Sequence, residues 1–186
     1  MSALAVLDRP ETWPTLPDRE GYEHVDGKWV KLNVAAGPVH LGYQLVNRLN
    51  AFANPHGLGW ALIGETPYQI WPEHPQRYRK PDGSFLGQDA LPDGVVPEGF
   101  VHAVPAIVIE VISPGDRAHE LIAKVGEYLD AGIELVWVLS PATAVVTVHR
   151  PGGNDSRLRP GDTLTGEDVL PGFSLPVADL FSRRLA

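Results

Sequence analysis

No cysteine occurs anywhere in the chain. Disulfide crosslinks, thiolate metal centres and zinc fingers are thereby excluded, and nothing points to an oxidising compartment. No apolar run approaches the roughly 20 residues of a membrane span. The start, MSALAVLDRPETW, has no basic leader region and no small-residue cleavage pattern, so a cytoplasmic protein with no membrane partner is expected. Also missing are a G-x-x-x-x-G-K-[ST] phosphate loop, a G-x-S-x-G nucleophile elbow and an HExxH pair, which leaves P-loop, serine-hydrolase and zinc chemistry unsupported. Positive charge is short too. The formal net charge of -8 argues against broad attraction to phosphate backbones. It does not exclude a nuclease, because a divalent-metal site calls for clustered carboxylates and a local basic patch can dock a substrate.

What is present fits one globular domain: 186 residues, 44% hydrophobic and 20% charged. Residues 1–19, with Pro10, Pro14 and Pro17, read as an arm holding at most one helical turn, and residues 20–186 as a single domain. In YEHVDGKWVKL the alternation around Asp26-Gly27 predicts an antiparallel hairpin. Pro38 suits the first turn of a helix whose apolar stripe is Leu41, Leu45, Val46, Leu49 and Phe52, ended by NPHG. LGWALIGETPYQIW reads as extended. The proline-punctuated stretch 72–105 reads as a functional loop carrying a short strand near DGSFLG. AIVIEVI is then an interior strand, followed by a helix from about Pro114 to Ala131 and by IELVWVL and AVVTVHR as a hairpin pair. The tail suggests one more short strand and a terminal helical turn. Trp60, Trp71 and Trp137 are most simply core or rim aromatics. The order implies an α+β fold with a central mixed sheet flanked by helices, an N-terminal hairpin and extra C-terminal strands.

Glu110 is the anomaly in this pattern. It shares a strand face with Val108 and Ile112, where an unpaired carboxylate would cost several kcal/mol, so it needs a cation, a metal or an open cleft. Asp82, in RKPDGSFL, follows a proline at the start of the short strand. Two acids on neighbouring strands supply the oxygen ligands that a hard divalent ion such as magnesium prefers.

These stretches, PD followed by IEVISP and KVGEYLDAGIELVWVL, resemble the Uma-two family of restriction-endonuclease-like proteins, within the PD-(D/E)XK superfamily. The resemblance extends through the hairpin, VHLGYQLVNRL and GDTLTGEDVLPGFSLPVADLF. It implies a restriction-endonuclease-like fold and a magnesium-dependent endonuclease acting on DNA, with manganese able to replace magnesium. Asp82 and Glu110 would be the metal-binding acids, the Val111 carbonyl a third ligand, Glu23 an additional acid and His40 a contact to phosphate or water. The superfamily lysine two positions after the glutamate is replaced here by Ile112. The family pattern instead carries a lysine on the next helix, matched by Lys124, on the shoulder of the stripe formed by Ala118, Leu121, Ile122, Val125 and Leu129. Helical side chains lean toward the N-terminus, so Lys124 could reach back to the Glu110 strand and orient water. Superfamily relatives pair to cut two strands, which leaves a homodimer open.

Plainer roles exist for each residue. Asp82 could form a turn, Glu110 could pair with an arginine, Lys124 could pair with Glu120 on the surface, Glu23 could face Lys28 or Lys31 across the hairpin, and His40 could be an ordinary polar group in the first helical turn. In SPGD, Ser113 could cap the helix with Asp116 completing a capping box, placing free N–H groups beside the site. RYRK, residues 77–80, could guide a phosphate backbone or be a solvated loop. At the level of function, a catalytically degenerate nucleic-acid-binding or protein-interaction module of the same fold is the main alternative, and a small-ligand-binding domain a weaker one.

Overall fold

The computed structural model describes residues 13–91 and 94–182. Among these described residues ten strands and three α-helices run in the order β1 (Tyr22–Val25), β2 (Lys28–Lys31), α1 (Ala36–Ala53), β3 (Gly59–Ile63), β4 (Gly83–Gly87), β5 (Ile107–Val111), α2 (Ala118–Asp130), β6 (Leu135–Ser140), β7 (Val145–His149), β8 (Ser156–Leu158), β9 (Thr163–Gly166), β10 (Leu170–Pro176) and α3 (Val177–Leu180). The turn between β1 and β2 has φ of 49° at Asp26 and 78° at Gly27, the left-handed pair that a two-residue hairpin needs. Residues 13–19 form no helical turn, and the remainder of the expected arm lies outside the described residues. No helix among the described residues is long and apolar enough to cross a membrane.

The centre is a six-stranded mixed sheet in the order β3-β4-β5-β6-β7-β8. All neighbours are antiparallel except β5 and β6, whose parallel pairing is made by the crossover through α2. Alternation along β5 sorts its side chains. Ile107, Ile109 and Val111 join Leu45, Leu49, Phe85 and Trp137 in the core under α1, whereas Val108 joins Val125, Tyr128 and Val136 in the core under α2. Glu110 therefore points toward α2 in an otherwise apolar layer.

Three features depart from the pattern read in the sequence. α2 starts at Ala118, not at Pro114. Pro114-Gly115 instead makes a tight turn, with Gly115 at φ 105° and the Asp116 N–H bonded to the Ser113 carbonyl at 3.1 Å. Asp116 still accepts from the Ser113 N–H at 2.7 Å, half of a capping box without a helix behind it. Within α2 the buried face is carried by Val125 and Tyr128, and Ile122 is 71% exposed. The tail holds three strands where one was expected: β8 extends the main sheet, and β9 with β10 forms a separate hairpin. That hairpin delivers Leu164, Leu170, Phe173 and Leu175 to the α1-side core, and Phe173 stacks on Trp137 with ring centroids 6.0 Å apart.

The close approach of α1 to the start of β4 favours a glycine. A Cβ on Gly42 would lie 3.3 Å from the Asp82 carbonyl oxygen and 3.7 Å from Val111 Cγ2. Gly42→Val should lower unfolding stability by about 1–3 kcal/mol through overpacking, measured by urea denaturation. An unchanged midpoint would mean that the helix and strand can separate freely.

Candidate active site

Asp82 precedes β4 and is held at the end of β5. Its Oδ2 accepts the Val111 backbone N–H at 2.7 Å, so the acid of one strand is tied to the residue that follows Glu110 on the next. Burial raises the Asp82 pKa, an effect the Val111 hydrogen bond and the Lys124 charge oppose.

Glu110 is buried and meets two donors from α2. Tyr128 donates its hydroxyl to Oε1 at 2.8 Å, and Lys124 Nζ lies 2.9 Å from Oε1 and 3.1 Å from Oε2. Lys124 and Tyr128 are four residues apart, one above the other on the helix face. Burial pushes the Glu110 carboxyl up to about 7, against the pull of Lys124 and with help from the negative charges of Asp82 and Glu23. Lys124 responds oppositely. Burial works against its charge, yet Glu110 and Glu23 outweigh that penalty and its pKa is raised. The group is therefore a permanent ammonium at neutral pH, a donor and not a base.

Glu23 reaches the same ammonium from behind. Its Oε1 is 3.0 Å from Lys124 Nζ and 2.8 Å from the Lys80 N–H, and its Oε2 is 3.0 Å from Arg79. Across the hairpin Glu23 registers with Val30, not with Lys28 or Lys31. Burial disfavours its charge, but Lys124, Arg79 and the Lys80 N–H together lower its pKa. Arg79 continues to Glu127 at 2.7 Å, and Arg77 to Asp26 at 2.6 Å. Lys80 is closed by Asp18 at 2.8 Å and Glu65 at 2.9 Å. Arg77, Arg79 and Lys80 are thus internal ion-pair partners, neither a solvated loop nor a free guide for phosphate.

A pocket of about 340 Å³ opens onto this cluster, with Asp82, Glu110, Val111, Ser113, Asp116 and Lys124 in its wall. Glu23 stands behind Lys124 and is not part of the wall. His40 is exposed on α1 and bonds Gln44 at 2.9 Å, and the structure does not bring it to the pocket. Glu120 pairs with Arg117 at 3.4 Å on the surface and leaves Lys124 to the interior. Tyr128 and Glu127 belong to the cluster but were given no role in the sequence, and Arg79 was read there only as part of the RYRK basic patch. Tyr128 carried a signal, its position one turn beyond Lys124; Glu127 carried none beyond being charged.

Among the described residues no group of three or more histidine, aspartate or glutamate side chains is arranged around a metal position. Magnesium is commonly held by one or two carboxylates, with water and substrate oxygens completing the shell. Of the acids in the wall, Asp82 and Glu110 have pKa values raised by burial, so a nearby cation would relieve them. The donor set fits a hard divalent ion, and Asp82, Glu110 and the Val111 carbonyl are the groups that could hold one.

A mixed sheet between helices, with acids meeting where β4 and β5 join, is an α+β architecture of the restriction-endonuclease-like kind. The chain belongs to the Uma2 family: that family's model, described as "Putative restriction endonuclease", matches residues 8–178. In structure it is similar to "a putative nuclease belonging to DUF820 from Anabaena variabilis ATCC 29413", with a TM-score of 0.77 and 19% identity over 89% of this chain and 93% of that one. At such identity the likeness establishes the fold. No curated protein matches the sequence.

The folded chain holds the Glu110 proton more tightly than the unfolded chain, so between about pH 4.5 and 7 the native state carries the extra proton. The stability contributed by this group is fully present below that window and is lost as pH rises through it. In chelator-treated buffer, Glu110→Gln should therefore become steadily more stable relative to the wild type as pH rises from about 5 to 7, and level off above that. Urea midpoints at several pH values measure this, and a pH-independent difference would contradict the raised carboxyl.

Proposed function

We propose that this protein is a divalent-metal-dependent endonuclease that hydrolyses DNA phosphodiester bonds. The carrying observation is that Asp82 and Glu110, from separate strands, share the wall of one pocket with the Lys124 ammonium against Glu110. Family and fold support a nuclease. Magnesium or manganese at Asp82, Glu110 and the Val111 carbonyl would supply acidified water and charge neutralisation at phosphate.

The protein's own groups perform the positioning. The Val111 N–H fixes Asp82, and Tyr128 and Lys124 fix Glu110. Lys124, kept protonated by Glu110 and Glu23, donates to the attacking water or to the phosphate oxygen on which charge builds. Glu23, itself paired with Arg79, holds Lys124 from behind and takes no part in ligation. His40 is not in the pocket wall and is given no role in this mechanism.

One observation favours a second reading. Lys124 already neutralises Glu110, and Ile112 replaces the superfamily lysine, as would suit a degenerate member that binds nucleic acid or protein without cutting. Calorimetric titration with magnesium and manganese separates the two: the nuclease shows saturable binding that Asp82→Asn and Glu110→Gln remove, together with cleavage of a labelled DNA mixture. Lys124→Met should retain metal binding and lower kcat by about 10²–10³-fold, the usual effect of losing one aimed donor. Full activity in Glu110→Gln would end the nuclease reading.

A further inference from the structure

The rim of this pocket carries a chemistry that its floor does not use. Among the described residues nine large hydrophobic side chains are exposed, and four of them, Val34, Val39, Tyr43 and Ile63, line this one pocket. Tyr43 is 53% exposed and Ile63 55%. Both stand one residue from Asp82's immediate neighbours: Tyr43 follows Gly42, which packs on the Asp82 backbone, and Ile63 registers with Gly83 across β3 and β4. The apolar groups thus come from two elements that converge on the same acid.

Charge around the opening is equally specific. Among the described residues, the only cationic side chains in the lining are Lys80 and Lys124, each closed by two carboxylates. Glu65, Asp82, Glu110 and Asp116 line the same space. A duplex hides its bases and is gripped through many phosphates by free lysine and arginine; the described residues that line this opening include none. An unpaired strand presents a base face, which aromatic and aliphatic side chains bind without regard to sequence.

We propose that the strand cut at this site is unpaired, with Tyr43 and Ile63 forming the platform for the base beside the scissile phosphate. The substrate class rests on the nuclease reading, while the platform itself does not require cleavage. A fluorescein-labelled single DNA strand and the same strand annealed to its complement are to be compared with the full chain, by cleavage in manganese and by anisotropy in calcium.

The single strand should have the higher kcat/KM by about tenfold or more. Tyr43→Ala should lower both kcat/KM and affinity for it about tenfold, Tyr43→Phe should restore both, and Ile63→Ser should weaken them with an unchanged melting temperature. Equal or better handling of the duplex, or indifference to Tyr43→Ala, overturns the proposal. Should no cleavage occur, the nuclease reading falls alone if single-strand affinity still depends on Tyr43, and the platform falls too if anisotropy shows no such dependence.

Discussion

A carboxylate on an interior strand and an ammonium on the helix that covers it, 2.9 Å apart, set the terms for the rest of the molecule. Taking either charge from water costs several kcal/mol, and their mutual attraction repays that only where further hydrogen bonds satisfy what remains. Here the remainder is met in sequence: Tyr128 on Glu110, Glu23 on Lys124, Arg79 on Glu23 and Glu127 on Arg79. Removing one member strands the next. The chain of pairs consequently fixes the N-terminal hairpin, the 77–80 segment and α2 relative to β5, and these are the elements that surround the pocket from behind.

The same network explains why a chain of net charge -8 can bury three cations and most of a fourth. Arg77, Arg79, Lys80 and Lys124 are all turned inward and matched by acids, so they contribute organisation and little external field. What remains at the opening is acidic and apolar. In the proposed nuclease reading, a divalent ion held by these acids would offset that negative charge toward phosphate, and the apolar rim would be left to meet the substrate.

Much of this was legible in the sequence because it depends on short-range periodicity. The Asp26-Gly27 turn, the α1 stripe and the alternation that puts Glu110 opposite Ile109 follow from local rules, and so does the reach of Lys124 toward the β5 strand. The start of α2 was not, since Ser113 and Asp116 make the same side-chain-to-backbone bond in a turn as in a capping box, and only the positive φ of Gly115 decides between them. The burial of RYRK was hidden for a different reason. Its partners Glu23, Glu127, Asp18 and Glu65 are scattered along the chain, and no local pattern brings them together. His40 was singled out by the family pattern alone, but one residue along a helix turns a side chain by about 100°, and Val39 and Tyr43 line the pocket where His40 does not.

The move of the lysine from strand to helix has a structural logic. Position 112 shares the Glu110 face, and in this chain Ile112 packs with the α2-side core beside Leu121 and Leu129. An ammonium there would have to break that apolar layer. α2 already crosses the layer, and a lysine on it can keep its stem among apolar neighbours while its head meets Glu110 at the pocket wall. The charge required at the carboxylate is thereby supplied without opening the core. It also makes the site depend on where α2 sits. Because α2 is anchored by Val125 and Tyr128 in the core and by Trp71, whose indole N–H donates to the Glu127 carbonyl at 3.0 Å, the position of the ammonium is set by packing and not by the strand that carries the acid.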